Sequence, residues 1–352
     1  MLSGPRLAID RALERFLANA HEQLIAIDDE LTPISSALKE FLAGGKRLRP
    51  LFALAGFAGA GGSLEEENIY QACVSLELLQ ACALIHDDMM DGSDTRRGAP
   101  SMHRRFERMH FERRGFGDSE NFGHATALLL GDLALVWSTQ ALNLSGISDQ
   151  QLRSVNPIFD IMRVELMAGQ YLDMHGGSLE SISVESALKI ATYKSGKYTI
   201  ERPLHFGGAL AGADADGEVL AAYSSYGIPL GIAFQLRDDL LGVFGDSSVT
   251  GKPAGDDLME GKRTALIAHA QERLSPAAER EFTSLFGRKN LTQNEIDTLR
   301  TLIQGSGAVD FIEKLIEEKT ILALTAINNP KITSSGRELL ADLAIKATQR
   351  SA

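Results

Sequence analysis

Apolar residues recur at three- and four-residue spacing along nearly the whole chain, and the alternation that marks strands is almost absent. The pattern predicts amphipathic helices over residues 6–30 and 31–44, the second stopping at Gly44-Gly45. More continuously apolar segments over 48–60 and 65–91 predict deeper helices. A loop-rich interval follows, punctuated by Gly98, Pro100, Gly115 and Gly117, and its basic run HRRFERMHFERRG reads as a solvated face. Helical spacing resumes over 122–143, 150–176, 184–212, 216–245 and 262–274. It continues over 276–288, 292–304, 307–328 and 332–350. There is no internal repeat and no linker long enough to divide the chain, so residues 1–352 predict a single all-α domain.

Composition narrows the function classes. At 44% apolar and 23% charged residues the chain has ordinary globular values and enough apolar side chains for a sizeable core. A net charge of −12 argues against nucleic acid or an anionic membrane as partner. A protein this acidic binds polyanions only locally, through metals and a few clustered cations. The two cysteines, Cys73 and Cys82, share one apolar segment and suggest neither a disulfide framework nor a zinc site. Asp10 and Glu14 interrupt the first apolar face, which excludes a signal-peptide pattern. No uninterrupted apolar run approaches the ~20 residues of a membrane span. The expectation is a soluble, cytoplasmic protein with no transmembrane segment.

The chemistry concentrates in LIHDDMMDGSDTRRG, residues 84–98. Residues four apart share a helix face, so Asp87 and Asp91 point the same way with Asp88 adjoining. Their mutual repulsion is relieved by divalent cations, and hard carboxylate oxygens suit Mg²⁺ together with phosphate oxygens. Arg96 and Arg97 then offer planar forks to phosphate just beyond. A second cluster, FQLRDDLLGVFGD, carries Asp238 and Asp239 with Gln235 one turn before Asp239, and Gly-Lys pairs follow at Lys252 and Lys262. Two acidic helices remote in sequence can face each other across a bundle and share metals. GGKRLRP, residues 44–50, presents Lys46, Arg47 and Arg49 after two glycines, without the pattern of a nucleotide P-loop. ATYKSGK adds Lys194, Ser195 and Lys197, and GQYLDM places Gln170 and Asp173 one turn apart.

GGKRLRP, LIHDDMMDGSDTRRG, LLLGDLAL, GQYLDM, YKSGK, FQLRDDLLGVFGD and GKPAGDDLMEGKRT, in that order over about residues 40–270, resemble the trans-isoprenyl diphosphate synthases, the polyprenyl synthetases. Bacterial synthases of geranylgeranyl diphosphate and longer chains are the nearest in pattern. The resemblance implies a bundle of roughly ten or more helices around a central cavity, the isoprenoid synthase fold, and a homodimer. It implies that Asp87, Asp88 and Asp91 hold two Mg²⁺ on an allylic diphosphate, and that Asp238 holds a third with Asp239 close by. Lys46, Arg49 and Arg97 match the grip on isopentenyl diphosphate, with Gln80 where many members carry His. Arg96, Lys194, Lys252 and Lys262 match the grip on the allylic diphosphate. Ser195 and Gln235 match the polar groups facing the developing carbocation.

The chain departs from the pattern at Gly242, where a third Asp is usual, at Ser195 in place of the commoner Thr, and in a tail without basic residues at its very end. Chain length in the family is set four and five residues before the first Asp, here Ala83 and Cys82, both small. One turn higher lie Leu78 and Leu79, which predicts a twenty-carbon product, with twenty-five or more as the alternative. A class I terpene cyclase would leave Lys46, Arg49 and Arg97 without a role. A non-catalytic partner subunit would be expected to lack one aspartate cluster, and this chain keeps two.

Overall fold

The computed structural model describes residues 3–214, 217–245 and 255–348. Lys252 lies outside them. The fold is almost entirely helical, and its order is α1 (Ser3–Ile25), α2 (Thr32–Leu42), α3 (Leu48–Gly59), α4 (Glu67–Asp91), α5 (Met102–Glu112), α6 (Ser119–Asn143) and α7 (Asp149–Gly177). Next come α8 (Val184–Ala191), a π-helix (Thr192–Glu201), α9 (Arg202–Leu210) and α10 (Glu218–Phe244). The helices that follow among the described residues are α11 (Asp256–Glu260), α12 (Ala265–Gln271), α13 (Pro276–Leu285), α14 (Gln293–Gly305), α15 (Ala308–Ala326) and α16 (Ser334–Thr348). Local chemistry explains several boundaries. Ser148 and Gln151 form a capping box that starts α7, and Thr292 and Glu295 do the same for α14. Gly92, at φ 67°, ends α4 one residue after Asp91.

Two expectations need correction. The interval after residue 91 is not a long loop, because its basic run forms α5, which buries Met102, His103 and Phe106 against α6. The arginines of that run are paired, Arg104 with Asp94 and Glu107, and Arg105 with Glu40. Alternating charge concealed an amphipathic helix. Likewise, the segment expected as one helix over 184–212 is interrupted by the π-helix.

Three apolar layers meet on α4 and α10. One packs α4 against α1, α2, α5 and α6. A central layer joins α3, α4, α7, the π-helix, α9, α10 and α16. The third joins α10 to α8 and α11–α15. Because both long helices are buried on several sides, they are apolar nearly all round. By length and composition α4, α6 and α10 could each cross a bilayer, contrary to the expectation from uninterrupted runs. In the fold 72% of the α4 window and 56% of the α10 window is buried in protein, α4 ends in an aspartate and α10 carries two in its last two turns. The α6 window is 44% buried and leaves Leu128, Leu129 and Val136 exposed.

The π-helix is seated by backbone contact on both sides. A Cβ on Gly169 of α7 would lie 2.4 Å from the Lys194 nitrogen, and one on Gly231 of α10 would lie 2.3 Å from the Gly196 Cα. No side chain fits between these backbones, so Lys194 and Ser195 are held at a fixed depth between α7 and α10. Gly169→Ala should therefore destabilise the fold by about 1–3 kcal/mol through overpacking and lower turnover at the same time. Thermal melts and steady-state kinetics on the one variant check both, and an unchanged melting temperature would contradict the contact.

Candidate active site

The last turn of α4 and the end of α10 bring the two acidic clusters to one side of the bundle. Asp87 is the most heavily bonded. Its Oδ1 accepts from Gln170 Nε2 at 3.0 Å and from Lys194 Nζ at 3.2 Å, and its Oδ2 faces Arg96 at 3.4 Å. Burial alone would raise its pKa, but Lys194, Lys262 and Arg96 outweigh that and hold it well below the usual carboxylate range. Lys194 also donates to Asp173 Oδ2 at 2.5 Å, so one ammonium ties α7 to α4.

Asp91 has the opposite environment. Burial and the neighbouring Asp87 charge push it up to about 6, and its Oδ2 is buried with no hydrogen-bond donor. Lys262 Nζ lies 3.6 Å from that oxygen, 3.5 Å from Asp257 and 3.0 Å from Glu260. Across from it, Asp239 of α10 is 6% exposed and is pushed up to about 8, mainly by burial, although Gln235 Nε2 donates to it at 2.7 Å. Asp238 beside it is half-buried.

Asp88 differs from its sequence neighbours. It is fully buried, and Arg96 grips it, with Nε at 2.9 Å from Oδ1 and Nη2 on the same oxygen. The structure therefore makes Asp88 the anchor of Arg96. Arg96 and Arg97 lie on a two-stranded hairpin, Thr95–Arg96 (β1) with Ala99–Pro100 (β2). Its two-residue turn holds Arg97 at φ 54° and Gly98 at φ 77°.

The cationic loop before α3 divides its labour. Arg47, at φ 53°, is buried and bonds Asp10 and Glu77, both at 2.7 Å, and the Leu42 carbonyl. It fastens the loop and is not presented to a ligand. Lys46 stays exposed. Arg49 donates to Thr199 Oγ1 at 2.8 Å and lies 4.2 Å over the Tyr198 ring, its Nε unpartnered. Burial lowers its proton affinity, and that of Arg97, which sits near enough to Arg47, Arg49 and Arg96 to be repelled by them. Gln80 Oε1 and Tyr198 Oη are also buried without partners. Tyr198 and Thr199 were not legible in the sequence, because they follow YKSGK on what reads as a plain apolar helix. Their places depend on the π-helix.

Ser195 is half-buried on the π-helix, two residues beyond the backbone contact of Gly169 with Tyr193. Ala83 and Leu79 lie against the central layer, whereas Cys82 belongs to the layer facing α6, next to His86. The two expected floor positions thus look in different directions. His86 Nε2 lies 3.2 Å from the Leu128 carbonyl, which ties α4 to α6.

Among the described residues no group of three His, Cys, Asp or Glu side chains is arranged to hold a metal as it stands. Lys262 and Lys194 occupy the gaps between the carboxylates. The donor set nevertheless suits a hard divalent cation: oxygen ligands only, one with an unpartnered buried oxygen, and carboxylates whose raised proton affinity shows a deficit of positive charge.

Comparisons with known proteins agree with this geometry. The chain matches the family described as polyprenyl synthetase over residues 32–303. It is 31% identical over 304 residues to the geranylfarnesyl diphosphate synthase of Aeropyrum pernix, covering 85% of this chain and 88% of that protein. It is 30% identical over 310 residues to the geranylgeranyl diphosphate synthase of Methanosarcina mazei, covering 85% and 86%. Among solved structures, geranylgeranyl pyrophosphate synthase from Corynebacterium glutamicum, in complex with isoprenyl diphosphate and magnesium, superposes with a TM-score of 0.93 at 41% identity, covering 99% of this chain and 98% of that one. With both aspartate helices, the cationic loop and the π-helix lysine in one bundle, this chain belongs to the polyprenyl synthetase family of prenyltransferases.

Proposed function

We propose that the chain condenses isopentenyl diphosphate with allylic diphosphates head to tail (1′-4), forms trans double bonds, and stops at geranylgeranyl diphosphate. The observation that carries this reading is one ammonium, Lys262, that lies 3.6 Å from Asp91 of α4 and whose charge also acts on Asp239 of α10. Cations for two separate diphosphates flank it. Lys194, Lys262 and Arg96 lie on the aspartate side and would take the allylic diphosphate, joined by Lys252. Lys46, Arg49 and Arg97 would take isopentenyl diphosphate, with Gln80 beside it. A terpene cyclase has no use for the second set.

Asp87 and Asp91, with Asp88 in support, and Asp238 with Asp239 would hold Mg²⁺, three ions by the family resemblance; the C. glutamicum neighbour is a magnesium complex. When bound, Mg²⁺ neutralises the diphosphate and so favours its departure. The chain's own residues do the rest. Lysines and Arg96 fix the allylic diphosphate so that its C1–O bond breaks with the electron pair leaving on diphosphate. Ser195 and Gln235 turn their oxygens toward the resulting allyl cation. The isopentenyl double bond, held by Arg49 and Arg97, attacks C1 from C4, and a proton passes to a diphosphate oxygen. The apolar central layer excludes water from the cation. The growing tail runs along the Ala83–Leu79 face of α4, where small Ala83 admits it and fully buried Leu79 one turn on stops it.

We infer a homodimer as well. The outer faces of α6 and α7 expose Leu129 (63%), Val136 (62%), Val164 (61%) and Tyr171 (68%), large apolar side chains that a second copy would cover. Charged diphosphate substrates do not cross membranes unaided, which favours a cytoplasmic enzyme.

Three outcomes are expected. With isopentenyl diphosphate, Mg²⁺ and a ten- or fifteen-carbon starter, mass analysis of products should show a metal-dependent ladder ending at twenty carbons. Ala83→Phe should end it at fifteen and Leu79→Ala should extend it; a hydrocarbon formed from one allylic substrate alone would sink the synthase reading. Val164→Glu should convert the dimer to monomer in light scattering after size exclusion, and a monomeric parent protein would refute the interface.

The third outcome concerns pH. Asp239 binds its proton more tightly folded (about 8) than unfolded (about 4). Its contribution to stability is complete below the unfolded value and is lost as pH rises through the folded one. Buried His103 and His205, whose pKa values burial lowers, act with the opposite sign but only below the ordinary histidine range. Metal-free protein should therefore melt at a lower temperature near pH 8.5 than near pH 7, and Asp239→Asn should remove most of that slope. Equal melting temperatures in the parent protein would contradict it.

A further inference from the structure

The two lysines of YKSGK have different partners. Lys194 reaches Asp87, while Lys197 Nζ lies 3.0 Å from Glu165 Oε1 of α7 and 3.5 Å from Glu201 Oε2. Arg202, the residue after the π-helix, meets the same Glu165 with two nitrogens, Nε donating to Oε2 at 2.6 Å and Nη2 to Oε1 at 2.7 Å. Glu165 is buried, which would raise its pKa, but hydrogen bonds from Arg202 and Lys197 outweigh that and hold it below the usual carboxylate range. The network continues to α10. Arginine only donates, so His205 Nδ1, 3.2 Å from Arg202 Nη1, accepts, and the ring proton sits on Nε2. That nitrogen faces the Leu220 carbonyl and Ser224 Oγ, both at 3.0 Å, and Ser224 donates to Glu201 Oε1 at 2.6 Å.

The two cations that share Glu165 are five residues apart. In an α-helix five residues end about 140° past one full turn, so side chains at 197 and 202 would meet different neighbours. A π-helix bonds each residue to the one five before it, and here the Arg202 N–H donates to the Lys197 carbonyl. One carboxylate takes both side chains because of that winding. Lys194 and Thr199 are separated by the same five residues on the same segment. Lys194 reaches Asp87, and Thr199 Oγ1 accepts from Arg49, so each serves one of the two cation sets. Glu165 lies one turn before Gly169, whose backbone fixes the depth of Lys194. Helix α7 thus sets the depth of the π-helix at one point and grips its winding at another.

We propose that Glu165 is a positioning residue for both substrates: it locks the winding of 192–201 by gripping Lys197 and Arg202 together, and so keeps Lys194 toward the allylic diphosphate and Thr199 on Arg49 for isopentenyl diphosphate. The proposal rests on the two-substrate reading above and adds to it a carboxylate that touches neither substrate. Without that grip the segment relaxes toward the commoner α winding. A slip by one residue turns Lys194 away from Asp87 or Thr199 away from Arg49.

The test is initial-rate kinetics on the full-length protein with Mg²⁺, varying isopentenyl diphosphate and a fifteen-carbon allylic diphosphate in turn, alongside thermal melts. Glu165→Gln keeps the shape and removes the charge. Lys194 and Arg49 grip their diphosphates in the ground state as well as later, so the loss should appear mainly in KM. For both substrates kcat/KM should fall roughly ten- to a hundredfold, the scale of a small misplacement. Arg202→Lys, a cation without the planar fork, should move both KM values the same way by less, and it decides the matter if Glu165→Gln does not fold. A folded variant that keeps the parent KM for both substrates, whatever its melting temperature, overturns the proposal, since Glu165 would then only stabilise the bundle. A rise in one KM alone also overturns it, because one winding serves both. A parent protein that turns over no allylic starter overturns instead the synthase reading, and this proposal with it.

Discussion

Everything in the site follows from carboxylates placed at the wrong end of two helices. The carboxyl terminus of a helix carries partial negative charge, and aspartates there are disfavoured. Yet α4 ends in Asp87, Asp88 and Asp91, and the last two turns of α10 carry Asp238 and Asp239. Both ends are largely buried, so water screens the repulsion poorly. Asp91 and Asp239 register the strain as raised proton affinity. Such an arrangement persists only where cations are supplied, and here they come from Lys194 on the π-helix, Lys262 after α11 and Arg96 on the hairpin. The fold around the site is largely the means of delivering those three side chains.

The π-helix shows how the delivery is made. A regular helix over 184–212 would rotate Lys194 and Tyr198 to other faces. Wider winding at 192–201, with Gly169 and Gly231 pressed against it, sets Lys194 between Asp87 and Asp173 and brings Tyr198 under Arg49. One irregular segment thus serves both cation sets. A buried network of Glu165 with Lys197 and Arg202 pins the far end of the same segment.

Helical periodicity made nearly all of the fold legible, because long amphipathic and buried helices leave an unambiguous spacing. It failed where the pattern is not local. The run around Arg104 read as a solvated face since its charges alternate, but its arginines pair with Asp94, Glu107 and Glu40 while Phe106 and Met102 turn inward. The site was legible as a list of residues but not as a division of labour. Nothing in DDMMD distinguishes Asp88, fully buried and gripped by Arg96, from Asp87, which accepts from α7 and the π-helix. Nothing in GGKRLRP separates buried Arg47 from Arg49. Gly242 is a further case: a Cβ there would lie 1.9 Å from Asp257 Oδ2, a contact that exists only once α11 lies on α10.

The choice between arginine and lysine follows the same logic. Arg96 is locked to Asp88 by two nitrogens of a planar fork, so it offers a fixed face to a ligand. Lys194 and Lys262 are point charges on flexible stems, each shared among several carboxylates that outnumber them. A shared ammonium is not committed to any one oxygen. An arginine's planar fork at either position would fix on one carboxylate, whereas lysine spreads a single charge over all of them.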